Sequence, residues 1–203
     1  MVFQASLPLC LFPSAHWLAL ALDTVRINPN ETYLKQTFRN RYDIMGVNGK
    51  LSLTVPVEGQ KGIKTAFKDI RIAGNFWHKQ HISTLRSSYG RAAYFEHYFD
   101  ALESCLKKPN TFLLDLNLDS LEWLKQCGLP LHVNLIDEPW EYRESDYTYL
   151  WEPSQQWPDL PSYPQVFSDR HPFMSGLSVI DIIMNKGPRT SEYLAQLSNI
   201  SPV

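Results

Sequence analysis

Cysteine is scarce in this sequence: its 203 residues include only Cys10, Cys105 and Cys127. Their number is odd, they are far apart, and no CxxC pair is present. These features argue against a disulfide framework and against a zinc site built from cysteines. We interpret the three as free thiols of a reducing compartment, and we expect a cytoplasmic protein.

The sequence also lacks an excess of positive charge and a long hydrophobic run. There are 19 Lys and Arg residues against 21 Asp and Glu residues, for a formal net charge of −2. A general nucleic-acid binder usually carries a clear basic excess, so we expect no nucleic-acid partner and only a local positive site. The longest apolar run near the start is interrupted by Pro8, Pro13 and His16, and no basic stretch precedes it. It predicts neither a secretory signal nor a membrane span.

What the chain does contain is typical of one folded domain over residues 1–203. Hydrophobic residues make up 44% of it and charged residues 20%. A late segment, residues 137–162, is rich in acidic and aromatic residues and has a single basic residue, Arg143. Its prolines forbid a long helix, while its aromatic rings would be costly to leave in water. We predict that residues 137–176 form an irregular, lid-like segment, which either hugs the surface or is partly disordered without ligand.

The first thirty residues have the pattern of a strand, a helix and a second strand. Leu7–Phe12 is an apolar run typical of a buried strand, Ser14 can cap the following helix, and Thr24–Ile27 predicts the next strand. Such a unit predicts two parallel strands whose carboxyl ends, near Ser14 and Asn28–Glu31, share the sheet edge where α/β proteins bind ligands. His16 lies at this edge, and we interpret it as a structural hydrogen-bonding residue.

Turn pairs and apolar spacing also predict the helices and strands of the rest of the chain. The pair Asn48–Gly49 indicates a β-turn before an alternating strand, and apolar spacing predicts further helices. The predicted elements are helices at Trp77–Tyr89, Tyr94–Leu106, Thr111–Cys127 and Leu177–Asn185, and a strand at Leu131–Ile136. The expected fold class is therefore α/β: a single domain with a mixed, partly parallel sheet flanked by helices.

The segment 31–41 concentrates cations and amides and is a candidate anion site. If it is a helix, Lys35 and Arg39 lie on one face, and so do Gln36 and Asn40. Together with Arg41, the guanidinium and ammonium groups would suit a phosphate or a carboxylate. The alternative is a solvated basic helix with ordinary surface ion pairs.

Two further clusters carry polar chemistry. In the first, Asp169 and Arg170 could form a binding turn, with Arg170 on an anion and Asp169 on a sugar hydroxyl, or they could simply pair with each other. In the second, His78, His81 and His97 have no carboxylate or Cys at ligand-like spacing, so we expect solvated or helix-packing roles and no metal site.

Several motifs together resemble the WbqC-like family over nearly the whole chain. They are Tyr33-x-Lys35-Gln36-Thr-x-Arg39-Asn40-Arg41, Leu53-Thr54-Val55-Pro56-Val57, Trp77-x-x-x-His81, Ser88-Tyr89, Ala93-Tyr94-Phe95-x-x-Tyr98, Asp169-Arg-His-x-Phe173 and Gly176-Leu-Ser-x-Ile-Asp181. The resemblance implies a cytoplasmic step of bacterial O-antigen or other surface-glycan biosynthesis. The family pattern falls on Lys35, Arg39, Asn40, Arg41, His81 and Tyr89.

Two functions follow as hypotheses. The first is a group transferase acting on a phosphorylated or nucleotide-linked sugar, with Lys35, Arg39 and Arg41 on the anion. Gln36 and Asn40 would contact hydroxyl or amide groups, and His81 would be the acid or base. The second is a non-catalytic binding or scaffold protein of the same pathway, whose cations meet a partner's acidic surface. The sequence names no cofactor and no oligomeric state.

Overall fold

A computed structural model describes residues 5–21, 23–59, 64–136 and 157–197. The strands are β1 (Ala5–Ser6), β2 (Asp23–Ile27), β3 (Arg41–Gly46), β4 (Gly49–Thr54) and β5 (Leu131–Leu135). The α-helices are α1 (Ala15–Ala21), α2 (Trp77–Tyr89), α3 (Phe95–Lys107), α4 (Leu113–Gln126), α5 (Val179–Lys186) and α6 (Thr190–Ala195). Short 3₁₀ turns cover Phe67–Asp69 and Gly187–Arg189.

The three strands β1, β2 and β5 form a parallel sheet with β2 in the centre. Val25 of β2 lies opposite Ala5 on one side and Val133 on the other. Between β1 and β2 the chain crosses over through α1, whose first turn closes where the Leu18 N–H donates to the Ser14 carbonyl at 3.1 Å. The predicted strand–helix–strand unit with parallel strands is confirmed.

The predicted first strand at Leu7–Phe12 is wrong in position. Pairing with β2 covers Ala5 and Ser6, and its last bond runs from the Leu7 N–H to the Arg26 carbonyl at 3.1 Å. Pro8 has no N–H to donate, so the ladder cannot continue through it. Residues 7–12 instead form a buried irregular segment, in which the Leu11 N–H donates to the Phe38 carbonyl at 3.0 Å.

The prediction of one mixed sheet also needs correction, because β3 and β4 form a separate antiparallel hairpin. Its register places Arg41 opposite Thr54 and Asp43 opposite Ser52. The turn lies one residue earlier than the predicted Asn48–Gly49 pair: Val47 and Asn48 form it, and Gly49 begins β4 with a φ of 101°, a conformation that side chains disfavour. Side chains alternate along a strand, so Arg41 and Asp43 lie on the same face of the hairpin.

The helices of the second half enclose the core. The predictions for α2, α3 and α4 are confirmed within two residues, and the strand prediction is confirmed as β5. Helix α4 ends before Gly128, which has a φ of 89° and lets the Leu129 N–H reach the Leu124 carbonyl at 3.1 Å. The short helix α6 was not predicted.

The core contains large aromatic side chains: Trp17 of α1 and Trp123 of α4 are among the largest fully buried ones.

Most of the acidic and aromatic segment, residues 137–156, lies outside the described residues. Its described continuation, residues 157–176, contains turns and neither α-helix nor β-strand. Two contacts hold this stretch in shape. The Gln165 side chain bonds both backbone groups of Met174, at 2.9 and 3.0 Å, and the Leu160 N–H donates to Ser175 Oγ at 3.0 Å.

Candidate functional site

A cavity of about 220 Å³ opens where the chain turns from the segment after β1 into α1. The lining includes Ser14 but no residue of Asn28–Glu31, so the two turns that were predicted to share a ligand-binding edge do not both line this cavity. Four other parts of the chain complete its wall: Phe38 in the segment before β3, the β3–β4 hairpin, residues 157–159 and residues 175–178. Its aromatic lining comes from Phe12, Trp17, Phe38, Tyr42 and Trp157.

Ser178 joins three of these parts. Its Oγ–H donates to the Phe12 carbonyl at 2.8 Å, and its backbone N–H donates to the Asp43 carbonyl at 2.8 Å. The same Oγ accepts the Ile180 N–H at 3.3 Å and so caps the N-terminus of α5. The next residue, Val179, donates its N–H to the Pro13 carbonyl at 2.8 Å. The start of α5 thus fixes the hairpin against the Phe12–Pro13 turn.

His16 is a buried, neutral group on the cavity wall. Its Nε2 lies 2.8 Å from the Pro158 carbonyl oxygen, which can only accept, so Nε2 carries the proton. Burial lowers the pKa of His16, and the hydrogen bond to Pro158 and the charge of Asp159 oppose this only in part. The ring centroid of Trp157 lies 5.1 Å from that of His16. At neutral pH, Nδ1 therefore holds a lone pair and can accept a proton or a hydrogen bond.

Asp43 and Lys50 form the charged pair of the hairpin side. Asp43 is buried, accepts a short hydrogen bond from Ser52 Oγ, and has its Oδ2 3.4 Å from Lys50 Nζ. The Lys50 side chain is 61% exposed. It therefore keeps donor capacity for a ligand at the mouth of the cavity.

Asp159 is the second carboxylate of the cavity lining and is exposed. Apart from its electrostatic effect on His16, it has no polar partner among the residues that the structure describes. With Lys50 beside Asp43 and His16 neutral, the described lining keeps one negative charge uncompensated, that of Asp159.

Of the predicted anion-binding residues, Arg39 is already engaged. Its Nε and one terminal nitrogen donate to the two carboxylate oxygens of Glu31, both at 2.9 Å. Another terminal nitrogen donates to Thr37 Oγ1 at 3.2 Å. The Arg39 side chain is only 3% exposed, so this two-pronged pair is a structural contact of the interior.

Segment 31–40 is not a helix, so the predicted helical faces do not form. It runs through turns, and Gln36 has a φ of 62°. Backbone bonds from Tyr33 to Thr65 (2.9 Å) and from Phe67 to Glu31 (2.8 Å) hold its first half extended against the loop that follows β4. Lys35 and Gln36 are exposed, whereas Asn40 is buried, with its Nδ2 donating to the Val55 carbonyl at 2.8 Å. The structure thus separates Lys35 and Gln36 from Arg39 and Asn40.

Arg41 differs from Arg39 in having an unused donor. Its Nε is buried and has no hydrogen-bond partner among the described residues, and the side chain is partly exposed. Arg41 precedes Asp43 by two residues on the same face of β3, a separation of about 7 Å along a strand.

His81 lies on α2 and is not part of the cavity lining. Its Nε2–H donates to the Thr54 carbonyl at 3.3 Å, and its Nδ1 accepts the Tyr42 hydroxyl at 3.1 Å. Both ring nitrogens are therefore occupied in the neutral form. Burial lowers the pKa of His81 to about 4. Its role as an acid or base stays a prediction.

The other predicted residues lie in different surroundings. Tyr89 is buried, and its hydroxyl donates to Asp181 Oδ1 at 2.9 Å and accepts the Met45 N–H at 3.1 Å. Asp169 and Arg170 are exposed, with Arg170 Nε 3.4 Å from Asp169 Oδ2. Neither group belongs to the cavity lining.

The sequence profile of the WbqC-like protein family matches residues 17–138, more than half of the chain. The chain belongs to the WbqC-like family. The match covers Arg41, Asp43 and Lys50 and stops short of the cavity wall at Trp157 and Asp159. No curated protein and no solved structure matches the chain.

The described part of this WbqC-like protein shows no cluster of His, Cys, Asp and Glu that could hold a metal ion. Within the same residues, no helix has both the length and the apolar character needed to span a bilayer. Cys10, Cys105 and Cys127 are free, and burial raises their thiol pKa values, to about 12 for Cys105 and Cys127.

Sequence reasoning missed Asp43, Lys50, Asp159 and Ser178 as site residues. Asp43 and Lys50 flank the predicted β-turn, so their closeness across the hairpin could have been derived from the turn. Asp159 was one acid among many in its segment, and Ser178 was noted only as part of the motif Gly176-Leu-Ser-x-Ile-Asp181, with no role assigned to it. Their convergence depends on contacts between residues far apart in the chain.

Proposed function

We propose that this protein is a cytoplasmic group transferase of bacterial surface-glycan biosynthesis. In this proposal the cavity binds the sugar of a phosphorylated or nucleotide-linked substrate. The observation that carries the proposal is the cavity of about 220 Å³ with an aromatic and ionisable lining. Small-molecule sites are concave and largely apolar, with a few polar groups that fix orientation. Membership of the WbqC-like family supports the glycan context.

The sugar ring would lie against the aromatic side chains Trp157 and Phe38. Aromatic side chains pack on the apolar face of a sugar ring. Carboxylate oxygens accept hydrogen bonds from sugar hydroxyls, and serine hydroxyls can both accept and donate them. Asp43 and Ser175 are polar groups of the lining that would serve in this way.

The phosphate would lie beside Lys50 at the mouth of the cavity, and Arg41, which is not among the lining residues, would approach it from the same face of the hairpin beyond Asp43. Arg41 has a buried Nε without a described partner, and Lys50 is largely exposed at the mouth of the cavity. Arg41 and Lys50 keep unused donor groups, whereas the guanidinium of Arg39 is held by Glu31. Lys35, which is exposed, would be available to a longer ligand such as a nucleotide.

His16 is the cavity residue best suited to accept a proton during transfer. It is neutral and keeps Nδ1 unprotonated, because Nε2–H donates to the Pro158 carbonyl. A group transfer to a hydroxyl or an amine requires the acceptor to lose a proton, which a neutral imidazole can take.

Thermal unfolding with and without sugar phosphates and nucleotide sugars tests the proposal. A ligand at about 100 times its Kd stabilises the native state by about 2.7 kcal/mol. For a chain of this size, that corresponds to a rise in Tm on the order of 5–10 °C. In Arg41→Met and Lys50→Met the rise should be largely lost.

Arg91→Met is the matched control, because Arg91 is exposed and lies away from the cavity lining. It should keep the full rise in Tm. If no phosphorylated or nucleotide-linked sugar raises the Tm, the transferase proposal fails and the scaffold hypothesis is favoured.

A further inference from the structure

The charges of the cavity lining favour a sugar that carries a positively charged group. Its described lining contains two carboxylates, Asp43 and Asp159, one ammonium group, Lys50, and the neutral His16. Lys50 lies 3.4 Å from Asp43 and offsets that carboxylate. The carboxylate of Asp159 has no cation beside it among the described residues. A negative charge left at a binding site favours a ligand that brings a positive one.

The aromatic lining beside Asp159 points in the same direction. Trp157, two residues before Asp159, lies against His16 with a centroid distance of 5.1 Å. The faces of Trp, Tyr and Phe attract cations, and a carboxylate together with aromatic faces is a common surrounding for an ammonium group. A sugar phosphate that carries an amine would match both this end of the cavity and the cations of the hairpin.

We infer that the sugar bound in the cavity is an amino sugar, whose ammonium group lies between Asp159 and the ring of Trp157. The inference rests on the proposed function and specifies its substrate class. His16 faces the same cavity, and its unprotonated Nδ1 is available to accept a proton from the bound ammonium. Loss of that proton would leave a neutral amine on the bound sugar.

Calorimetric titration with matched hexose 1-phosphates tests this inference at pH 7. The probes share the phosphate and differ at one carbon, where they carry an amine, a hydroxyl or an N-acetyl group; both 2-substituted and 4-substituted series are used. We expect at least one amine to bind about tenfold more tightly than its hydroxyl and N-acetyl counterparts. In Asp159→Asn this preference should disappear, because the uncharged amide no longer attracts the ammonium group.

The control is Asp100→Asn, which makes the same change in net charge at an exposed position of α3. It should keep the preference for the amine. Equal binding of amine and hydroxyl compounds, or a preference that survives in Asp159→Asn, would overturn the amino-sugar inference and leave the proposed function standing. Absence of binding by every sugar phosphate would overturn both.

Discussion

Two histidines of this protein show how surroundings decide what one residue type can do. His81 has both ring nitrogens in hydrogen bonds, with Thr54 and Tyr42, whereas His16 has an unprotonated Nδ1. Burial lowers the pKa of both. The protein therefore keeps both rings neutral near pH 7, and His16 lies on the cavity wall.

The depressed pKa of His81 makes stability depend on pH. The pKa is about 4 in the folded state against 6.5 for the ordinary side chain. Above pH 6.5 the ring is neutral in both states and its contribution is complete. As the pH falls from 6.5 towards 4, the unfolded state binds a proton that the folded state does not. The free energy of unfolding should fall by about 3 kcal/mol over this range on account of His81.

Urea denaturation of the wild type and His81→Gln at a series of pH values measures this contribution. The variant should show a smaller loss of stability between pH 6.5 and 4, because glutamine does not titrate. His16 and Asp181 titrate in both proteins, so the difference isolates His81. Parallel curves for the two proteins would contradict the assignment of a low pKa to His81.

Among the elements, the junction between α5 and α6 depends on one close approach. Gly187 ends α5 with a φ of 56°, and a Cβ built on it would lie 2.4 Å from the Tyr94 ring. Tyr94 in turn donates its backbone N–H to the Met184 carbonyl at 3.0 Å. The backbone of Gly187 at the end of α5 therefore packs directly against the ring of Tyr94 at the start of α3, which leaves no room for a side chain at Gly187.

We predict that Gly187→Ala destabilises the protein more than Gly128→Ala does. Both substitutions put a side chain at a positive φ, at a cost of about 1–2 kcal/mol. Gly128 has open space around it, whereas at Gly187 the new methyl group overlaps Tyr94, for about 1–3 kcal/mol more. Chemical denaturation of the two variants measures the difference. Equal losses would show that the Tyr94 ring moves aside freely.

Across the whole molecule, one buried carboxylate connects distant parts of the chain. Asp181 of α5 is fully buried and accepts three hydrogen bonds, from Tyr89 (2.9 Å), Tyr163 (2.7 Å) and Gln165 (2.8 Å). Tyr89 also accepts the Met45 N–H of the hairpin. Burial raises the pKa of Asp181, while these three donors oppose the rise. The network ties α2, α5 and the hairpin to the segment that continues into the cavity wall.

Replacing Asp181 with alanine should therefore destabilise the fold strongly. Three buried donors would lose their acceptor, at about 1 kcal/mol or more each, so we expect a loss of at least about 3 kcal/mol. Tyr163→Phe removes one donor and leaves two, and should lose about 1 kcal/mol. Urea denaturation at pH 7 compares them, and an equal loss in both variants would contradict a shared network.

Local sequence features predicted much of the fold. Apolar spacing located α2, α3 and α4, and the Asn-Gly pair located the hairpin turn to within one residue. The first strand was placed too late, because an apolar run reports burial and Leu7–Phe12 is buried without being a strand. Segment 31–40 has helical charge spacing, yet backbone bonds to Thr65 and Phe67 hold its first half extended and its second half runs through turns.

The sequence by itself determined the class of fold, the parallel strand–helix–strand unit and the family. It also identified a short segment rich in cations. Only the tertiary structure decided which charges are free: Arg39 is held by Glu31, while Arg41, Lys50 and Asp159 keep capacity for a ligand. The physical reason is that periodicity and turn chemistry act over a few residues. The pairing of a charge depends on which distant segments pack beside it, and local pattern does not encode that.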